Sequence, residues 1–261
     1  MLLAIFIWLF TIVTTITFAG RYWWFPESAS SHGGVLDGQF VVTLLVTGIV
    51  FILAQIGLGW VVFRYRDTGQ NQAVYSHGNH KLEIIWTSLT AIVFFLMVLP
   101  GQKIWADLHL TLSPENAIRI EVTGQQFAWN IRYPGPDGRF GIIKPNLIED
   151  SAGNPLGLDF NDPAAQDDLV LPTMAIPVNR PIELLLRSKD VTHAFSVREL
   201  RIKQDTVPGL LIPLRFTATS TGSFEIACAE LCGMGHHRMR SFIEVLKEDE
   251  YQDWLLEMAE E

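Results

Sequence analysis

Cys228-Ala229-Glu230-Leu231-Cys232-Gly233-Met234-Gly235-His236-His237-Arg238-Met239 sets two thiols, an imidazole and a thioether at separations of four, four and three residues. Sulfur donors combined with imidazole select copper and select against magnesium and calcium. A β-prone run at 221–227 leads in and another at 241–246 leads out, so the pattern predicts a ligand loop clamped between two strands. His193 supplies a further strong ligand from within the alternating run 188–197, thirty-five residues before Cys228. A mononuclear electron-transfer copper takes two histidines, one cysteine and a distant methionine, which leaves one cysteine here in excess. Two copper ions sharing Cys228 and Cys232 as bridging thiolates, with His193 and His236 as terminal ligands, account for both. The axial positions then fall to Met239 and to the backbone carbonyl of Glu230. Three other readings stay open on the residues alone. They are a disulfide between the cysteines in an oxidising compartment, a zinc site of two cysteines and two histidines, and a membrane-tethered carrier with one copper.

Working outward, 261 residues with 49% apolar content and a mean hydropathy of +0.23 exclude an ordinary soluble protein. A net charge of −9 without a basic run gives no reason to expect nucleic acid. The apolar residues are concentrated early. Residues 1–21 read as an extra transmembrane helix ending in an aromatic girdle around Trp23 and Trp24, with a signal-like segment as the alternative. The start lacks the basic residues of a signal peptide, which favours a retained span. Residues 27–34 read as a linker. Residues 38–103 read as a transmembrane helical hairpin: 40–63 carries no charged side chain and 84–99 is again apolar, both on the scale of a bilayer crossing. Arg64, Arg66 and Lys81 place the intervening loop on the cytoplasmic side. Everything after the hairpin therefore faces the other way, as a periplasmic domain on a bacterial-type inner membrane.

Beyond residue 104 the texture changes, and 24 acidic side chains face 14 basic ones. Short β-prone stretches at 117–123, 127–133, 139–143, 182–187, 192–197, 214–219, 223–227 and 241–246 alternate with turns, which argues an all-β sandwich over 104–247. Copper ligands on loops at one end of a sandwich make a cupredoxin the expected fold. The long irregular stretch 149–168 is unusual without a task of its own. Its acids Asp159, Asp162, Asp167 and Asp168 suggest a surface that steers a basic donor. Residues 248–261 read as an acidic helix with Tyr251, Trp254, Leu255 and Met258 on one face. His32, His77, His80 and His109 are scattered and form no second metal constellation.

The run Cys228-x3-Cys232-x3-His236-x2-Met239 together with His193 resembles the binuclear copper A site of subunit II of the haem-copper cytochrome c oxidases. The resemblance extends through 190–195 and 200–209. It implies that His193, Cys228, the Glu230 carbonyl, Cys232, His236 and Met239 hold two copper ions. It further implies that electrons come from cytochrome c or a related donor and go to haem in subunit I, where oxygen is reduced to water with proton translocation, among other oxidase subunits. The Glu230 side chain is similar to the family carboxylate that reaches a magnesium or manganese ion shared with subunit I. The stretch 124–134 resembles the aromatic strand that accepts electrons, with Phe127 where many members have tryptophan, and with Trp129 matched. The stretch 79–87 resembles the start of the second hairpin helix, where Glu83 matches a glutamate at a proton-path entrance. An interfacial glutamate favouring a helix N-terminus is the plainer reading of Glu83.

Overall fold

The computed structural model describes residues 1–21, 24–69, 75 and 77–260. Tyr22 and Trp23 of the aromatic girdle, and residues 70–74 and 76 of the hairpin loop, lie outside the described residues. The chain forms two compact units, Met1–Trp24 with Val35–Ile104, and Phe25–Gly34 with Trp105–Glu261.

Three helices dominate the first unit: α1 (Leu2–Ala19), α2 (Gly33–Arg64) and α3 (His80–His109). Each is long and apolar enough to cross a membrane. Large side chains such as Leu45, Leu53, Leu89 and Phe95 stand fully outward, as befits a surface solvated by lipid whose backbone groups are satisfied within each helix. Helices α2 and α3 outrun the apolar stretches 40–63 and 84–99 at both ends. Hydropathy marks the part of a helix that sits in lipid, whereas its ends depend on capping. At α3 the Asn79 Oδ1 accepts from the Lys81 and Leu82 N–H groups at 3.1 and 3.2 Å, satisfying donors that a helix start leaves open.

The second unit is a two-sheet sandwich. One sheet holds, in spatial order, β3 (Leu169–Leu171), β2 (Ala128–Tyr133), β1 (Ile118–Gln125), β5 (Pro181–Ser188) and β8 (Ile212–Thr217). The other holds β4 (Met174–Pro177), β10 (Arg240–Leu246), β9 (Gly222–Cys228), β6 (His193–Val197) and β7 (Ile202–Thr206). Pairing is antiparallel except for β1 with β5 and β4 with β10. In β10 the alternation is complete, with Ser241, Ile243 and Val245 inward and Arg240 and Phe242 outward, the period-two signature of a half-buried strand. Ile120, Val122, Ile131, Leu184 and Leu186 from one sheet meet Ile176, Phe195, Ile226, Ile243 and Val245 from the other in a single core. Helix α5 (Glu248–Glu260) follows β10 and buries Tyr251, while Trp254 sets its ring edge-on to Tyr133 at 5.3 Å.

Several expectations are corrected. Residues 139–143 form no regular strand. The Gly141 and Ile142 N–H groups go to the Asp168 and Asp162 carboxylates at 2.9 and 2.8 Å, so side chains take the place of a neighbouring strand. Strands β3, β4 and β7 escaped the sequence reading because the first two are three and four residues long and the third, Ile-Lys-Gln-Asp-Thr, is mostly polar. Residues 27–34 are no free linker: Ala29 and Ser30 are buried, Ser30 bridges Ala218, and the Ala29 N–H donates to the Glu199 carbonyl at 2.7 Å.

The acidic stretch is also corrected. Around Arg132 it forms a structural cover for the outer face of the first sheet. Arg132 lies opposite Glu121 in the β1–β2 register, and its guanidinium bonds Glu121 at 3.0 Å, the Gly141 carbonyl at 2.6 Å and the Asp168 carboxylate. Asp159 pairs with Lys144 at 2.5 Å. Asp162 caps the short helix α4 (Pro163–Gln166). The side chains of Asp168 and Asp159 are 0% and 9% exposed, so two of the four acids expected to steer a donor are turned into the protein.

Candidate metal centre

The ligand loop is held at both ends by backbone bonds. Cys228 is the last residue of β9, its N–H donates to the Met239 carbonyl at 3.2 Å, and the Ala229 N–H donates to the Ala194 carbonyl at 3.0 Å. His193, first residue of β6, arrives beside it because Phe195 pairs with Cys228 across the β6–β9 register. The two thiol sulfurs are 3.9 Å apart, well beyond the roughly 2.05 Å of a disulfide, and both cysteines are free and buried. His193 Nδ1 lies 4.0 Å from Cys228 Sγ, His236 Nδ1 lies 3.6 Å and Met239 Sδ 3.8 Å from Cys232 Sγ, and the Glu230 carbonyl lies 3.1 Å from Cys228 Sγ. The structure thus brings all six atoms anticipated from the sequence into one cluster, and leaves His237 exposed outside it.

Donor chemistry and spacing fit a metal. The donor atoms of His193, Cys228 and Cys232 lie within 4.8 Å of one another, close enough to hold an ion. Thiolate sulfurs 3.9 Å apart are near enough for one ion to reach both. One imidazole and one further soft or carbonyl donor flank each sulfur.

Asp190 was not singled out by sequence, although it opens the motif. Its Oδ1 lies 2.8 Å from His193 Nε2 and its Oδ2 accepts the Gln126 N–H at 2.7 Å. Burial opposes the charge of Asp190, but the bonds from Gln126 and His193 outweigh it and hold the carboxyl below its usual range. With Nε2 held against Asp190, the ring presents Nδ1 toward Cys228. Cys232 is pushed in the other direction, up to about 11, by burial and by the neighbouring Cys228. A metal would have to displace the Cys232 proton on binding.

A turn between β1 and β2 roofs the loop. Gln126 Nε2 donates to the Cys232 carbonyl at 2.5 Å. The Phe127 ring leaves no room for a side chain at Gly235, where an added Cβ would come within 2.3 Å of it, and at Gly233 an added Cβ would meet Gln126 Nε2 at 2.7 Å and the Phe127 ring at 3.2 Å. Phe127 is 39% exposed. Trp129 is buried, with its ring 6.0 Å from His193 and 5.6 Å from Phe195, so it packs behind the cluster and not at the surface. Leu231 and Met234 project outward from the loop beside Phe127, 79% and 96% exposed. The Glu230 side chain is exposed while its carbonyl faces the sulfurs. Glu83 lies in the first turn of α3 with His80 Nδ1 3.1 Å away, the position at which a carboxylate stabilises a helix dipole.

Membrane-spanning helices joined to a two-sheet sandwich, with imidazole and thiols gathered at one end of it, define a membrane-anchored cupredoxin-like protein. The sequence matches the family models for the transmembrane domain of cytochrome c oxidase subunit II over residues 18–104 and for its periplasmic domain over residues 118–246. An alternative cytochrome c oxidase subunit 2 from Bradyrhizobium diazoefficiens is 37% identical over 237 residues, covering 90% of this chain and 83% of that one. A cytochrome c oxidase subunit 2 from Synechocystis is 28% identical over 268 residues, covering 93% and 78%. The solved periplasmic domain of subunit II of cytochrome oxidase from Bradyrhizobium japonicum is 29% identical, covers 57% of this chain and 98% of that one, and superposes with a TM-score of 0.42. The chain belongs to the cytochrome c oxidase subunit II family. It is an integral, multi-pass membrane protein with an extracytoplasmic domain and serves as an electron-transfer subunit of a terminal oxidase.

Proposed function

We propose that the cluster holds a binuclear copper A centre through which this subunit takes electrons from cytochrome c or a related donor and passes them to haem in subunit I, where oxygen is reduced. The observation carrying this reading is the convergence of His193, Cys228, Cys232, His236, Met239 and the Glu230 carbonyl around one pair of sulfurs. Bound copper would supply one-electron redox chemistry. The residues supply the rest: two thiolates to bridge, two imidazoles as terminal ligands, and a thioether and a carbonyl as weak axial donors. Clamping the loop at both ends limits rearrangement when charge changes, and burial excludes water from the sulfurs.

Phe127 is the aromatic closest to solvent over the loop and is proposed as the point of electron acceptance, with buried Trp129 as the packing support of His193. The exposed Leu231 and Met234 beside Phe127 supply an apolar contact suited to the desolvated centre of an interface. The Glu230 carboxylate is proposed to help hold magnesium or manganese together with subunit I, since a hard oxygen donor suits such ions. Glu83 is proposed to stand at the entrance of a proton path into that subunit.

Copper analysis and electron paramagnetic resonance of the purified full chain test the centre. The expected result is two copper ions per chain and the hyperfine pattern of one electron shared by two copper nuclei, both lost in Cys232→Ser. One copper per chain with a single-nucleus pattern would establish the mononuclear carrier instead.

A further inference from the structure

We infer that the groove between α1 and α2 is a binding site for an anionic phospholipid of the outer leaflet. The family's transmembrane match begins at residue 18, so α1 up to residue 17 lies outside it, while Arg21, Trp24 and the α2 wall of the groove lie inside it. The two helices meet through a built contact. The Trp8 indole lies so close over Gly59 that an added Cβ would come within 2.2 Å of it. Its Nε1–H reaches the Ile56 carbonyl at 3.4 Å, and Ala4 and Thr11 are buried on the same face of α1.

Toward the C-terminal end of α1 the helices part and leave a groove of about 630 Å³, walled by Phe18, Val41, Leu44, Leu45 and Ile52 among others. Such a volume is on the scale of a ligand site. Two of its hydroxyls are already engaged: Thr14 and Thr47 donate back to the Phe10 and Thr43 carbonyls at 2.8 Å each. Among the described residues that line it, the charged one is Arg21, just past the end of α1. The exposed Arg21 guanidinium is stacked over the Trp24 ring at 4.7 Å, an arrangement that holds the cation in place. An occupant therefore needs a long apolar body lying in the hydrocarbon layer and a single anionic group at the level of the interface. A phospholipid with a net negative headgroup has both, with its chain along the groove and its phosphate on Arg21.

The full chain is purified into nanodiscs of phosphatidylcholine containing a minor fraction of phosphatidylglycerol, and the lipid retained on gentle release is counted and identified by native mass spectrometry, which also reads the N-terminus. The expected result is retained lipid enriched in phosphatidylglycerol. Arg21→Gln should retain lipid without that enrichment. Gly48→Phe, at a groove-lining position where an added Cβ meets nothing within 4 Å, should lower the retained lipid count. Equal lipid number and class in the native chain and both variants, a mature chain lacking residues 1–19, or crosslinks showing a partner's helix in the groove would each overturn the assignment. Unchanged copper content in the variants shows that the sandwich has folded, and its outcome is independent of the lipid result.

Discussion

Replacing Asp168 with alanine is expected to destabilise the sandwich strongly, and the network around Arg132 lets the size be worked out. Two arginines, Arg132 and Arg187, face two carboxylates, Glu121 and Asp168. The side chains of Arg132, Glu121 and Asp168 are 2%, 4% and 0% exposed. Removing Asp168 takes away the acceptor of the Arg132 Nε–H at 3.1 Å, of a second Arg132 N–H and of the Gly141 N–H at 2.9 Å. It also leaves a net positive charge buried. Breaking such a pair costs about 3–5 kcal/mol, because desolvation of the remaining ion goes uncompensated. At about 2–4 °C per kcal/mol for a domain of this size, the midpoint of thermal unfolding should fall by about 6–20 °C. Removing the arginine as well, in Arg132→Met with Asp168→Ala, leaves Glu121 paired with Arg187 at 2.5 Å, and the double variant should recover part of the loss. Circular dichroism melts of the full chain in detergent, arranged as a double-mutant cycle, measure this. A double variant that loses the sum of the two single losses would refute the argument, since no coupling between the charges would then exist.

Three further outcomes follow from the same geometry. Asp190→Ala frees His193 to rotate and to shift its proton, so copper affinity measured by chelator competition should fall about 10–100-fold, the usual effect of removing a ligand's orienting partner; an unchanged affinity would show that the strand alone orients the ring. Glu230→Ala keeps the backbone carbonyl, so metal analysis of the assembled oxidase should find copper retained and magnesium or manganese lost, and full occupancy of the second metal would remove that role. Burial raises the Tyr251 hydroxyl to about 12 and lifts Tyr133 well above its ordinary value. The folded form therefore holds these protons more tightly than the unfolded chain, and their contribution to stability is present below about pH 10 and lost as pH rises. Tyr251 alone should lower the unfolding free energy by about 1.4 kcal/mol per pH unit between about pH 10 and 12. Urea midpoints across that range read the slope, and Tyr251→Phe should flatten it.

The clustering of donor atoms was legible in the sequence because it is nearly local. Four of the side chains fall within twelve residues, and their chemical softness alone restricts the metal. The spans were legible for a similar reason, since twenty apolar residues in a row have few uses outside a bilayer. Tertiary structure decided what depends on residues far apart in the chain. Asp190 stands only three residues from His193, but its second oxygen is held by the Gln126 N–H, which the distant β1–β2 turn brings to it. Phe127 and Trp129 look equivalent two residues apart in the sequence, yet Phe127 lies in the turn before β2 and covers the loop, whereas Trp129 lies on the strand and packs behind His193. The acidic stretch misled for the same reason. Composition counts the charge of Asp159 and Asp168, but only the register that sets Arg132 against Glu121, and the return of the chain over that face, determine that these charges are neutralised inside the protein and not offered to solvent.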